Sequence, residues 1–313
     1  MCWCRNAKIV PCLFPACLNC VSVANLFYNC GLSMSDISNS AINYHAYNVH
    51  EGETLMSQVA KVICVLLPRG LIAAGFSNQG DLLMIRYGDY SKTLPTWIID
   101  FYEHRFIDEP LLSNPENVVA TFVASDKYMV IPEALYDEGE AVKWLRKAFF
   151  VEANEVLAVH RLHEDKAQYM YAYHGTMKSM IGRYFVNSKL LPLSTYQFYK
   201  PYKADSSIQC CITGEHVYAT LYKNRALNWH QVFSYETGED IAYQIKLLCR
   251  QKNIDANELD LKATVTYRGL NPVLNEVSQY FPNIKETEGN VVANNRQWAP
   301  AIGLLQQLYS CAL

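Results

Sequence analysis

Apolar runs broken by turn residues open the patterned part of the chain. The stretch "KVICVLLPRGLIAAGFSNQGDLLMIRYGDY" (61–90) holds three β-rich segments. They are parted at Pro68-Arg69-Gly70 and at Asn78-Gln79-Gly80, which predicts a three-strand meander. The period then lengthens: Trp97, Ile98, Phe101, Tyr102 and Arg105 recur at helical spacing and predict a helix over Thr96–Phe106. "NVVATFVASDKYMVIP" returns to strand material around 118–131. Pro132 suits the first turn of a helix running to about Phe149, striped by Ala141, Trp144, Leu145, Ala148 and Phe149. "EVLAVHRLHEDKAQYMYAYH" predicts two strands that turn at Glu164-Asp165, and "GTMKSMIGRYFV" a helix with Met177, Met180, Ile181 and Tyr184 on one side.

The pattern then starts again. "SSIQCCITGEHVYATLYKNRALNWHQVF" (206–233) is a second three-strand meander, turning at Thr213-Gly214-Glu215 and at Lys223-Asn224-Arg225. Thr237 with Asp240 three residues on reads as a variant capping box, followed by a stripe of Ile241, Ala242, Ile245, Leu248 and Cys249. Strand "LKATVTY" (261–267) follows. Asn271 is expected to cap a helix with Pro272 at its first position and Val273, Leu274, Val277 and Tyr280 inside. "NIKET" reads as a short strand, and Pro300 opens a last helix with Ile302, Leu305, Leu308 and Tyr309. Both halves run β-β-β-α-β-α-β-α, with extra hairpin strands in the first, and corresponding elements lie about 125–145 residues apart. The repetition is of pattern, not of residues. It implies an α/β molecule of two lobes with a cleft between them.

Composition narrows the function classes. The chain has 313 residues, half of them apolar, and a net charge of −3. That suffices for two ordinary cores and argues against a protein that works by neutralising nucleic-acid phosphates. No apolar run is long enough for a membrane-spanning helix. Beyond Ser35 the cysteines are Cys64, Cys210, Cys211, Cys249 and Cys311, scattered among apolar residues. They look like buried reduced thiols and favour a cytoplasmic location.

Six cysteines crowd the head, at positions 2, 4, 12, 17, 20 and 30. Cys17 and Cys20 make one C-x-x-C, but a zinc site wants a second such pair, and the head has no His. Pro11, Pro15, Asn19 and Asn25 break it as a signal peptide. Residues 1–34 are therefore read as an extension that is disordered or non-native, with Met34 a candidate start. The lobes are placed at 35–200 and 201–313.

Smaller constellations have plain readings. His160 and His163 sit three apart on a strand, so they point to opposite faces and share no ligand. Tyr169, Tyr171 and Tyr173 share one sheet face, best explained by packing against a helix. "STYQFYKPYK" (194–203) has the composition of a single-strand nucleic-acid platform, but its place between the lobes favours an aromatic-packed linker.

Three stretches carry a resemblance to a known family: "MVIPEALYDEGEAVKWL" (129–145), "ALNWHQVFSYETGEDIAYQI" (226–245) and "VTYRGLNPVL" (265–274). The chain resembles the bacterial family called domain of unknown function 3822, seen mainly in Bacteroidetes, over roughly 80% of its length. That resemblance implies the actin-like ATPase (ribonuclease-H-like) fold, and no established activity.

In such a fold, ATP phosphates sit between two hairpins whose backbone N–H groups approach them, with an Asp near Mg²⁺. Here the first hairpin offers Arg69 and Gly70 after a proline, the second Gly214 and Glu215, and the adenosine segment only Gly269. The glycines have an ordinary reading as turn residues that permit φ > 0, and Arg69 and Arg268 as solvated turn charges. The motifs do not support ATP or Mg²⁺ as cofactors and identify no catalytic or metal-binding residue. Two function classes follow: a non-catalytic interaction or scaffold protein with an unidentified protein partner, or a nucleotide-binding ATPase or small-molecule kinase using non-standard residues in the cleft.

Overall fold

The structure, a computed structural model, describes residues 42–49, 55–90, 98–162, 165–199, 206–286 and 293–313. The cysteine-rich head, the Thr96-Trp97 start of the first predicted helix, His163, Glu164, and Lys200, Tyr202 and Lys203 lie outside the described residues.

The first repeat begins with strand β1 (Ile42–Asn48) and a single helical turn, α1 (Leu55–Gln58). The meander is β2 (Lys61–Leu67), β3 (Gly70–Phe76) and β4 (Leu82–Tyr90), followed by α2 (Ile98–Asp108) and β5 (Val118–Val123). An insertion follows: β6 (Tyr128–Pro132), α3 (Glu138–Ala148), β7 (Glu155–Leu162) and β8 (Ala167–His174). The repeat closes with α4 (Gly175–Tyr184), β9 (Lys189–Pro192) and α5 (Thr195–Tyr199). The second repeat has no insertion: β10 (Ser206–Ile212), β11 (His216–Lys223), β12 (Ala226–Ser234), α6 (Gly238–Gln251), β13 (Asp260–Val265), α7 (Asn271–Ser278), β14 (Ile284–Glu286) and α8 (Ala299–Ala312).

Apart from the added edge strand β1, both main sheets have the same order. The first is β1-β4-β3-β2-β5-β9 and the second β12-β11-β10-β13-β14. In each, the meander is antiparallel and the last two strands add in parallel. The inserted strands form a separate sheet, β6-β8-β7.

Central strands are apolar on both faces because both faces are covered. On β2, Val62, Cys64 and Leu66 face a core built with α2, α4 and the buried Tyr169, Tyr171 and Tyr173. Ile63, Val65 and Leu67 face a second core that also takes in Cys210, Ile212 and Ala263 of the second sheet. The helix that joins the two is α8, which lies against β13 of one sheet and β2 and β5 of the other. Its Leu304, Leu305 and Leu308 are buried, each contributing about 2 kcal/mol.

Two predicted helix starts differ from the structure. Pro132 ends β6, and Asp137 caps α3 by accepting the N–H of Glu140 (3.0 Å). A side chain that can accept the orphan amide outweighs the proline preference. Asn271 is the first residue of α7 rather than its cap, and its amide nitrogen donates to Gln297 O (2.6 Å). The capping box of α6 forms as read: Thr237 Oγ1 accepts from Asp240 N (3.2 Å), and Asp240 Oδ2 from Thr237 N (2.9 Å). Removing this cap in Thr237→Ala is expected to cost about 1 kcal/mol, read as a melting temperature lower by about 2–4 °C.

Candidate functional site

The β2–β3 and β10–β11 turns face each other across the two repeats. Leu67 pairs with Gly70, leaving Pro68-Arg69 as a two-residue turn. A side chain at Gly70 would bring a Cβ to 2.9 Å from Gly88 O on β4. Close strand approach, not a positive φ, is therefore what glycine provides there. Gly214 and Gly269 also lack positive φ; among the described glycines only Gly80 has it, at 90°. A Cβ at Gly214 would meet nothing within 4 Å, and one at Gly269 would overlap Tyr267 Cε2 at 2.3 Å. The expectation of φ > 0 turn glycines is thus corrected at all three positions. Gly269 makes room for the Tyr267 ring.

A threonine side chain organises the second turn. Thr213 Oγ1 accepts the N–H of Glu215 (3.4 Å) and of His216 (3.0 Å). The Thr213 N–H in turn reaches His216 O (2.9 Å). These amides point into the turn's own loop and are not presented to a ligand.

Between the turns, Arg69 Nε is paired with Glu215 Oε1. A neighbouring contact sets His216 Nε2 4.0 Å from Asp126 Oδ2. The surrounding cleft holds about 350 Å³ and is lined by Arg69, Gly70, Gly214 and Glu215 with Tyr87, Asp89, Tyr90 and Tyr267. Among the described residues, one cation therefore stands against two carboxylates. Tyr267 stacks on Tyr87 with ring centres 4.1 Å apart, and His45 lies 5.6 Å from Tyr267. Tyr87 donates its hydroxyl proton to Asp89 Oδ2 (2.9 Å). Burial and then the Asp89 charge push the Tyr87 hydroxyl far above its usual range. Burial and then Arg268 hold His45 below the usual imidazole value.

Four of the five residues singled out by sequence, Arg69, Gly70, Gly214 and Glu215, thus meet in one cleft. Gly269 does not line it; Tyr267, two residues before, does. Arg268 lies over the Trp298 ring, 5.4 Å from its centre, and is half-buried. Sequence reasoning missed Tyr87, Asp89 and Tyr90 on β4. The alternation in "RYGDY" puts Tyr87 and Asp89 on one face, and that was the available signal.

A second junction lies where the inserted sheet meets β12. Tyr128 hydroxyl donates to His230 O (3.0 Å) and accepts from Val232 N (3.0 Å), sealing the outer edge of β12. Behind it, Gln197 of α5 donates Nε2 to Gln209 O (3.0 Å) and Tyr218 O (2.8 Å), so its Oε1 takes the Thr220 hydroxyl proton (3.0 Å). Thr220 Oγ1 then has only a lone pair for His230 Nδ1, 2.7 Å away. His230 is therefore the neutral Nδ1–H tautomer. Its Nε2 is buried without a partner, and its ring sits among Tyr128, Tyr169 and Phe198. Burial lowers its pKa to about 3. Tyr196 and Phe198 are buried as the linker reading expects.

Among the described residues, no group of three His, Cys, Asp or Glu is placed to hold a metal ion, and no helix is long and apolar enough to cross a membrane.

Paired sheets of common order, a shared terminal helix and facing hairpins define the actin-like ATPase fold. A Bacteroides thetaiotaomicron protein described as having that fold and unknown function superposes with a TM-score of 0.65 at 14% identity, covering 84% of this chain and all of that one. A chain of the PilM–PilN type IV pilus biogenesis complex gives 0.54 at 11% identity, covering 82% and 99%. The chain belongs to the family described as "Protein of unknown function (DUF3822)", whose pattern it matches over residues 77–284. No curated protein sequence matches it significantly.

Proposed function

We propose that this protein is a non-catalytic interaction or scaffold protein of the cytoplasm, in which the phosphate site of the fold has become a contact between lobes. The carrying observation is the Arg69–Glu215 pair. It spans the gap where a nucleotide's phosphates would lie and neutralises the one cation that lines the cleft among the described residues. The Glu215 and His216 amides are turned to Thr213, and Pro68 has no N–H, which supports a reading in which the hairpins do not cradle phosphate. The remaining lining charge, Asp89, repels a triphosphate. On this reading Arg69 and Glu215 hold the lobes together, Gly70 and Gly214 flank them in the two hairpins, and Gly269 seats Tyr267. The fold's presence in the PilM–PilN complex supports use in a protein assembly. The buried thiols of Cys64, Cys210 and Cys211 suit a reducing compartment.

The test is thermal unfolding with and without Mg-ATP, with phosphate release followed in parallel. A ligand at 100 times its Kd would add about 2.7 kcal/mol of stability. The expected result is an unchanged melting temperature and no phosphate above background. A saturable rise would establish the nucleotide-binding alternative.

A further inference from the structure

Strand β7 has an edge that no described strand pairs. Its polarity can be worked out from the neighbouring ladder. Ala172 N donates to Lys127 O (2.9 Å), and Gly175 N to Asn154 O (2.7 Å). With Tyr128 opposite Tyr171 and Glu155 opposite His174, even-numbered β8 residues turn their peptide groups to β6 and odd-numbered ones to β7. Val156, Ala158, His160 and Leu162 therefore face β8, and Glu155, Leu157, Val159 and Arg161 point their N–H and C=O groups outward. Glu155 N turns back to Glu152 O (3.1 Å), which leaves Leu157, Val159 and Arg161 with an edge that is free among the described residues.

Three of the other edge strands are guarded. Tyr128 seals β12, and β9 and β14 have only four and three residues. On β7 the sheet face beside the edge is also open at Val159, because α3 lies against β6 and reaches only as far as Leu157. Val159 is 42% exposed on that face, Phe150 leads into the strand 82% exposed, and Trp144 on α3 is exposed as well. An uncovered strand with apolar residues beside it is matched by another strand with the same pattern.

We propose that β7 pairs antiparallel with β7 of a second copy of this chain, joining the two inserted sheets into one. The sequence is self-complementary in one register. A twofold axis at Ala158 sets Leu157 opposite Val159 of the second copy and Glu155 opposite its Arg161, with the outward peptide groups in hydrogen-bonding positions. Sliding by two residues sets Arg161 against Leu157, or Glu155 against Val159, so the apolar and charged pairs select the first register. Glu155 already holds Lys127 (2.7 Å), and Arg161 holds Glu133. The junction would thus carry a row of alternating charges, Lys127, Glu155, then Arg161 and Glu133 of the second copy. The pairing does not depend on whether the cleft takes a nucleotide.

Sedimentation velocity of the full chain from about 1 to about 100 μM tests it. The expected result is a reversible monomer–dimer equilibrium, with slower hydrogen exchange at the Leu157 and Val159 amides as concentration rises. Val159→Lys charges the apolar seam on an exposed side chain, so it should keep the melting temperature and weaken the dimer by roughly tenfold or more. Val159→Pro should abolish the dimer by removing an outward N–H; if it does not fold, Val159→Lys and the exchange data decide. A monomer throughout, or a dimer that Val159→Lys leaves unchanged, overturns the proposal.

Discussion

Acidification from pH 7 to pH 4 should lower the unfolding free energy by about 3 kcal/mol through His230 alone. The ring's pKa falls from 6.5 to about 3 on folding because burial penalises the imidazolium. Below about pH 6.5 the unfolded chain takes up a proton that the folded chain refuses, so stability falls as pH drops. The loss grows by about 1.4 kcal/mol per pH unit and levels off near pH 3, where the folded ring also protonates. The cause is local: Nδ1–H is committed to Thr220, and Nε2 faces only aromatic rings. His45 is also depressed by burial and contributes with the same sign, so the wild type must be compared with His230→Gln. Urea unfolding at several pH values should show a steeper acid slope in the wild type. Parallel slopes would mean that His230 is protonated in the folded protein.

Replacing Gln197 by alanine should cost about 3–5 kcal/mol, the largest effect expected of any single substitution considered. Gln197 is fully buried and links α5 of the first repeat to β10 and β11 of the second through three hydrogen bonds. Truncation leaves a cavity, frees the Thr220 hydroxyl and removes the amide donors from two strand carbonyls. Gln197→Glu keeps the volume but puts an acceptor where Nε2 must donate, so it should be destabilised to a similar degree. Denaturant unfolding of both variants checks this, and losses below about 1 kcal/mol would show that the junction is not held by this side chain.

Periodicity carried most of the architecture. The two meanders, the α6 capping box and the parallel additions follow from apolar runs and turn residues that act locally. The junctions between lobes were not legible in the same way. Gln197, His230 and Tyr128 belong to three elements distant in sequence, and nothing in a single strand pattern marks a histidine as a buried neutral donor. At the cleft, the hairpin residues Arg69 and Glu215 could be picked out, but not their pairing with each other. The three glycines were misjudged for a related reason: Gly70 and Gly269 are required by neighbours packed against them, Gly88 O and the Tyr267 ring, and Gly214 by neither space nor φ. Pro132 and Asn271 show the same limit at helix starts, where a better side-chain acceptor or a tertiary partner shifted the boundary.

The central claim is that the cleft has exchanged phosphate binding for a contact between lobes. Calorimetric titration of the full chain with Mg-ATP tests it most directly. The prediction is no saturable heat up to about 1 mM ligand, for the wild type and for Glu215→Gln, since freeing Arg69 restores neither hairpin's amides. Saturable binding to the wild type with a Kd in the micromolar range would contradict it.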